Sequence, residues 1–365
     1  MSTKSTLPLK IDHKSYIKTL SGEGKYHAWK QFSDAFWNSE TLRAGSRSEF
    51  LFRRGFLRDK WVIYGFDDND PEYFLSDFQA AQINQANGIY ANVLQDRMLL
   101  CHTLAGYCTV PEIHALRGLD AEEVSLTQAW SAHRTAKEAP SLDIMIQPLL
   151  AGPRGKSATV SVNKGKFEGF GKSGDMTLLS NIVRDWSQAS RVPYLFTDNL
   201  KQGAFMEGLY PHTQNRLSVI IGRDLDSWDP VLIAATLRIG TSTTSGNLDL
   251  VQGGLSAVVN AETGELGQVA QVDADMGLGF IESHPETGIV ITGQVIPNWE
   301  EIRLELLRIM DESSYMRIAL LDFTIMEDGR LGLLGPSQLD LSAVQVHQPL
   351  LRQKVFAETM RKLTL

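Results

Sequence analysis

From Ser141 onward, short apolar runs alternate with polar, glycine-bearing breaks. "LDIMIQPLL", "ATVSVN", "VPYLFTD", "RLSVIIGRD" and "VLIAATLRIGTST" read as strands, and "NKGK" and "NAETGE" as the turns between them. Two segments have helical spacing instead. "DMTLLSNIVRDW" repeats Leu178, Leu179, Ile182 and Trp186, and "WEEIRLELLRIM" turns Ile302, Leu306 and Ile309 or Met310 to one side, with Asn298 and Glu301 placed for a capping box. "LLDFTIMEDGRLGLLGPSQLDL" closes the pattern as a hairpin of two apolar arms around Glu-Asp-Gly.

The earlier part of the chain is more mixed. "YHAWKQFSDAFWNSE" brings Trp29, Phe32 and Phe36 to one helical face, and Trp61 to Tyr64 reads as a short strand before a turn at "DDNDPE". "NVLQDRMLLCHTLAGYCTVPEI" predicts a helix with a stripe of Leu94, Met98, Cys101 and Leu104, stopped at Gly106. "GLDAEEVSLTQAWSAHRTAKEAPS" has the polarity of an exposed connection or surface helix. Strands joined mainly by hairpin turns, with helices interspersed, predict an α+β (mixed α/β) protein with antiparallel or mixed sheets.

Composition narrows the function. The 365 residues are 43% hydrophobic and 21% charged with a net charge of -8, which gives an ordinary globular chain without the basic footprint expected for nucleic acid or an anionic membrane surface. No uncharged apolar run is long enough to span a bilayer, and the first residues lack a signal-peptide core, so a cytoplasmic protein is expected. Cys101 and Cys108 are too few for a metal cage or a disulfide framework, and a reduced compartment fits them. No repeat or low-complexity tract points to a solenoid.

Local motifs are weak taken singly. "GFGKSG", Gly169 to Gly174, matches a dinucleotide fingerprint, but the preceding "KFEGF" is short and polar where a central parallel strand is a buried apolar run, so a glycine-rich turn explains it better. "AGPRGKSA" sets backbone N–H groups beside Arg154 and Lys156, an arrangement suited equally to an anion and to an exposed hairpin tip. The eight histidines have no His-x-x-x-His spacing, and no Gly-x-Ser-x-Gly elbow is present. Arg238 and Asp249 lie among small and polar residues, where an arginine is either presented to a carboxylate or phosphate or held in a salt bridge.

The order of the pieces is more informative. "IQP", "GPRGKSATV", "YLFTDNL", "NRLSVIIGRD", "LRIGT", "LDLVQGG", "ETGEL", "HPETG", "IPNW" and the closing hairpin together resemble the sugar-transfer-associated ATP-grasp family, from about residue 50 to about residue 350. The resemblance implies an ATP-grasp-like fold: a mainly helical region at 1–90, a small lobe at 91–200 and a large lobe at 201–365, the two α+β lobes enclosing ATP in a cleft. It also implies an ATP-dependent ligase that uses Mg²⁺ and joins a carboxylate to an amine or similar nucleophile through an acyl phosphate.

Carried over to this chain, the family's Asp-Lys corresponds to Asp96-Arg97, and its Lys-Pro lysine to Gln147, with Lys156 and Arg154 nearby as replacement cations. Asp198 corresponds to a hinge acid near the nucleotide, and Asn215 survives from an Asn-Thr-x-Arg segment whose arginine is now Ser218. Arg238 and Asp249 match as catalytic residues. The closing hairpin keeps Asp322 as a metal ligand, but Gly335 and Ser337 replace the expected Glu and Asn, and Asp340 is the remaining acid that could compensate. A degenerate relative follows as the alternative. It would need neither ATP nor Mg²⁺ and would bind a small molecule, serve a partner enzyme or perform a reaction without ATP. Persistence of "LRIGT" and "LDLVQGG" weighs toward an enzyme with altered nucleotide chemistry.

Overall fold

The computed structural model describes residues 22–38, 47–81, 83–119, 121–135, 139–151, 155–244, 248–273, 277–337 and 341–364. By its internal contacts the chain divides into two compact units, Met1–Ala91 with Phe205–Leu320 and Leu339–Leu365, and Asn92–Ala204 with Leu321–Gln338. The three-part reading of the sequence grouped these segments differently. Here the N-terminal region joins the larger unit, while the closing hairpin joins the smaller. The hairpin's place follows from hydrogen bonds: Thr109 N–H donates to the Leu331 carbonyl at 2.9 Å, and Leu333 N–H to the Thr109 carbonyl at 2.8 Å.

The smaller unit is built on seven strands, β1 (Ile113–Arg117), β2 (Glu123–Ser125), β3 (Leu142–Pro148), β4 (Ala158–Asn163), β5 (Lys166–Gly169), β6 (Lys172–Asp175) and β7 (Tyr194–Asp198). They are hydrogen-bonded in the order β2-β1-β7-β3-β4-β5-β6, and every pair is antiparallel. Successive residues of a strand face opposite ways. Ile144, Ile146, Val160, Val162, Tyr194 and Phe196 therefore share one face, which packs on Leu179 and Val183 of the helix Met176–Ser190. Asp175 starts that helix, its Oδ1 accepting the Leu178 N–H at 2.8 Å.

The segment read as an exposed connection or surface helix carries the helix Gln128–Arg134, but its Trp130 is wholly buried in the core, with its indole N–H donated to Glu123 at 2.9 Å. "GFGKSG" is the tip of the β5–β6 hairpin. Phe170 and Gly171 both have positive φ, 40° and 72°, which suits a two-residue hairpin turn, and the helix begins only after β6. No strand-to-helix turn exists there to cradle a dinucleotide.

The larger unit holds β8 (Arg216–Arg223), β9 (Pro230–Ile239), β10 (Leu255–Val259), β11 (Leu266–Asp273) and β12 (Gly277–Ile281). With β13 (Ile318–Ile325) and β14 (Leu331–Pro336) they form a sheet ordered β12-β11-β10-β9-β8-β13-β14. The chain passes from one unit into the other within β13. Strands β8 and β9 are buried along almost their whole length, and Ile220, Ile233 and Ala234 pack with Leu75, Ile83, Val344, Phe356 and Met360. Burying each large apolar side chain of this kind stabilises the fold by roughly 1.5–3 kcal/mol.

An aromatic cluster of Phe32, Phe36, Phe56, Tyr64, Phe66, Phe74 and Phe78 fills the N-terminal part of the same unit. It explains why Trp61 to Tyr64 is not a strand. The residues form the helix Lys60–Ile63 and its cap, and this turn lets the neighbours Ile63 and Tyr64 both enter the cluster, where a strand would send them to opposite faces. The helix Trp299–Glu312 buries Trp299, Ile302, Leu306, Ile309 and Met310 as its spacing predicts, but Asn298 sits in the left-handed region at φ 55° and makes no side-chain cap, so the expected capping box is not formed. Among the described residues no helix is long and apolar enough to cross a membrane.

Candidate functional site

In the larger unit Arg238 forms the salt bridge to Asp249 that was one of its two readings. Arg238, on β9, is 3% exposed, and its Nη2 lies 2.9 Å from Asp249 Oδ1. A buried guanidinium needs such a partner, because an unpaired charge out of water is costly. Directly opposite Arg238 on β8 stands Arg216. Directly opposed like charges repel, so this register sets two guanidinium groups side by side on one face of the sheet.

Arg216 is the residue that sequence reasoning missed. Ser218 stands where the family pattern has an arginine, but Arg216 lies two positions earlier on the same strand and therefore on the same face. The period of two was the available signal.

The loop that follows Arg238 is fastened by the motifs that carried the family resemblance. His284 of "HPETG" is buried; its Nε2–H donates to the Gly240 carbonyl at 2.8 Å, while its Nδ1 accepts the Glu286 and Thr287 N–H groups at 3.2 and 3.3 Å. This pattern needs a neutral ring with its proton on Nε2. Glu286 accepts the Ser242 N–H at 2.9 Å and the Ser242 hydroxyl at 2.7 Å, and those hydrogen bonds hold its carboxyl below the usual range. Across the loop, Thr241 donates its hydroxyl to the Gly253 carbonyl at 2.9 Å. Gly253 has φ 86°, and a Cβ there would come within 2.1 Å of Thr243 Oγ1, so "QGG" requires a glycine at this point.

Asn215, expected at the nucleotide, is part of this fastening. It is fully buried. Its amide N–H groups donate to the Met206 and Tyr210 carbonyls at 2.7 and 2.9 Å, and its Oδ1 accepts the Gly240 N–H at 3.0 Å. Both ends of the amide are committed to backbone, which makes Asn215 a tie beneath the loop. A second pair of motifs supports the same unit: a Cβ on Gly264 of "ETGEL" would lie 2.3 Å from the Trp299 ring of "IPNW".

The remaining expected residues belong to the smaller unit, apart from Arg154 and Asp340, which lie outside the described residues. Asp96 caps the helix Arg97–Leu104, its Oδ1 accepting the Met98 and Leu99 N–H groups at 2.9 and 3.0 Å. The Lys156 side chain is exposed, but its backbone N–H is donated to the Tyr194 hydroxyl at 2.9 Å, so this N–H of the glycine loop is not presented to an anion. Gln147 pairs with Leu195, while Asp198 pairs with Ile144, a residue of the core face. By strand alternation Gln147 and Asp198 point to opposite faces of the sheet, so the structure does not bring these two together.

On the closing hairpin Asp322 is buried and stands opposite Gly335, as the sequence register required. A Cβ at Gly335, whose φ is 137°, would lie 2.8 Å from Arg97 Nη1. The direction in which a second carboxylate would project is therefore taken by a guanidinium. β14 itself supplies no acid. A hard dication needs several oxygen ligands, and a cation in this position repels it. The described residues of the hairpin do not fit Mg²⁺.

Asp198 has a different partner. At the end of β1 the pairing with β7 is irregular between Ile113 and Ala115, and this bulge re-aims His114. His114 Nε2 lies 2.8 Å from Asp198 Oδ1, and its Nδ1 lies 3.0 Å from the Thr127 hydroxyl. The bond to His114 is the main reason that the Asp198 carboxyl is held below its ordinary range. Glu112 completes the group, and one ligand-type atom from each of Glu112, His114 and Asp198 lies within 4.8 Å of the others.

Comparison with known proteins gives one family match. The model for sugar-transfer associated ATP-grasp matches residues 156–353. No curated protein matches the chain. Among solved structures, the chain is similar to an L-amino acid ligase from Bacillus licheniformis at 9% identity and TM-score 0.36, covering 72% of this chain and 46% of that one. It is also similar to D-alanyl-alanine synthetase A from Vibrio cholerae at 7% identity and TM-score 0.42, covering 75% and 66%. A third is a D-alanine–D-alanine ligase from Bacillus anthracis complexed with ATP, at 9% identity and TM-score 0.37, covering 76% and 69%. The chain thus spans less than half the length of the Bacillus licheniformis ligase.

Proposed function

This chain belongs to the sugar-transfer associated ATP-grasp family, and on that premise we propose that it binds a phosphate-bearing small molecule, ATP in the first instance, without magnesium-dependent acyl phosphate chemistry at its closing hairpin. The observation that carries this reading is the replacement at the hairpin. Gly335 faces Asp322, and the Arg97 guanidinium lies where a second carboxylate would project. A fixed guanidinium offsets phosphate charge as a planar, multidentate donor, but it has no exchangeable coordination positions. Positive charge is thereby supplied by the protein itself. In the larger unit, Arg216 and Arg238 with Asp249 provide a second anion-binding array.

The ligase reading, in which a carboxylate is joined to an amine through an acyl phosphate, draws support from the retained Arg238–Asp249 pair. A role beside a partner enzyme goes with the binding reading.

Thermal melting separates them. With ATP alone at about a hundred times its Kd, linkage adds about 2.7 kcal/mol of stability. Under the binding reading the melting temperature rises with ATP, and added Mg²⁺ changes little beyond chelating the nucleotide. A shift that requires Mg²⁺, accompanied by ADP release in the presence of a carboxylate and an amine, would establish the ligase reading instead. No shift at millimolar ATP, with or without Mg²⁺, would overturn both.

A further inference from the structure

We propose that Glu112, His114 and Asp198 form a binding site for a divalent first-row transition-metal ion of the zinc and cobalt class. The proposal does not rest on nucleotide binding. Its ligands come from the end of β1 and the end of β7, and the bulge at His114 brings the ring to the core-side face that Asp198 also occupies.

Three features of the geometry favour an ion. The first is spacing. Ligands about 2.1 Å from one metal at the tetrahedral angle stand about 3.4 Å apart, and His114 Nε2 and Asp198 Oδ1, now 2.8 Å apart, have to separate by only about half an ångström. The imidazole and the carboxylate need little movement to become adjacent ligands, with Glu112 Oε2, 3.9 Å from the ring Nδ1, swinging in from solvent.

The second is support for the ring. A metal-bound histidine characteristically donates its other N–H to a fixed acceptor, which sets its tautomer and orientation. Here Nδ1 faces the Thr127 hydroxyl at 3.0 Å, and that oxygen is itself held by the Trp130 N–H at 3.3 Å, at the start of the helix Gln128–Arg134. The hydroxyl can donate to Nδ1 in the metal-free protein and accept from it when Nε2 binds metal.

The third is access. His114 is 1% exposed, whereas the carboxylates of Asp198 and Glu112 are 42% and 64% exposed. A site closed on its imidazole side and open on its carboxylate side lets an ion enter and leaves positions for water. One nitrogen and two carboxylate ligands favour the first-row transition ions over magnesium or calcium.

The experiment uses the full chain, stripped with a chelator and titrated with Co²⁺ while its visible absorption is followed, with zinc competition as a second reading. The expected result is one equivalent of Co²⁺ per chain, displaced by Zn²⁺. His114→Ala should abolish the band, Asp198→Asn should weaken binding at least tenfold, and Thr127→Ala should weaken it about 10–100-fold by releasing the ring. Because His114 is buried, circular dichroism checks that its variant is folded, and Glu112→Gln, on an exposed side chain, tests the site without that risk through a fall in affinity. Absence of a stoichiometric Co²⁺ band in the unaltered chain would overturn the proposal. So would Co²⁺ affinity that is unchanged in folded His114→Ala, or unchanged in both Asp198→Asn and Glu112→Gln.

Discussion

His284 donates its Nε2–H to the carbonyl of Gly240 at 2.8 Å, so a histidine well downstream in the chain holds the residue two places beyond Arg238. His284→Ala removes this bond and the two that Nδ1 accepts, leaving the buried Gly240 carbonyl without its histidine donor. Each such loss costs about 1–3 kcal/mol. Urea unfolding is expected to show a loss in that range or above it, and the stabilisation given by ATP should shrink as the loop after Arg238 loosens. Full ATP stabilisation in a measurably destabilised His284→Ala protein would separate the loop from ligand binding.

At the closing hairpin, Gly335→Ala places a Cβ 2.8 Å from Arg97 Nη1 and forces an alanine to φ 137°. The expected cost is about 1–3 kcal/mol, measured by chemical denaturation. Restoring the family's carboxylate with Gly335→Glu should be at least as destabilising and should not by itself create a magnesium response. An Asp322→Asn variant should show the same indifference to Mg²⁺ as the unaltered protein.

Arg238→Ala should abolish most of the melting-temperature rise caused by ATP, because it removes the guanidinium that stands beside Arg216 and pairs with Asp249. Arg238→Lys keeps the charge without the planar fork and should recover only part of it. Isothermal titration with ATP checks both. Equal affinity in all three proteins would remove this array from the ligand site.

His347 gives a pH prediction. Burial pushes its imidazole down to about 4, against an ordinary value of 6.5, with Nε2 3.0 Å from the Ser256 carbonyl. The unfolded chain therefore takes up a proton between pH 6.5 and 4 that the folded chain resists. Stability contributed by the neutral ring is full above pH 6.5 and falls as the pH is lowered through that window, by about 3 kcal/mol at most. His347→Gln should flatten this part of the curve of unfolding free energy against pH.

Strands β3 to β5, β7 to β11 and the closing hairpin, with the opposition of Asp322 and Gly335, were legible in the sequence because each depends on a period of two and a nearby turn, whereas β1, β2, β6 and β12 are short or polar and were not. Other features depend on groups distant in the chain. Trp130 sits in a polar segment yet fills the core of the smaller unit, and Trp61 to Tyr64 has strand propensity but takes a helical turn to feed an aromatic cluster. Asn215 was read from a motif as a ligand contact, whereas its amide is consumed by backbone groups on both sides. The pairing of His114 with Asp198, which are 84 residues apart in sequence, depends on a bulge that leaves no compositional trace.

The division of β13 between the two units affects how the protein is made. The smaller unit's own sheet is encoded early, but the strand that completes its hairpin is translated only after every strand of β8 to β12 has left the ribosome. During synthesis the surface around Thr109, which later bonds Leu331 and Leu333, must therefore stay exposed to water or to a chaperone until β14 has been made.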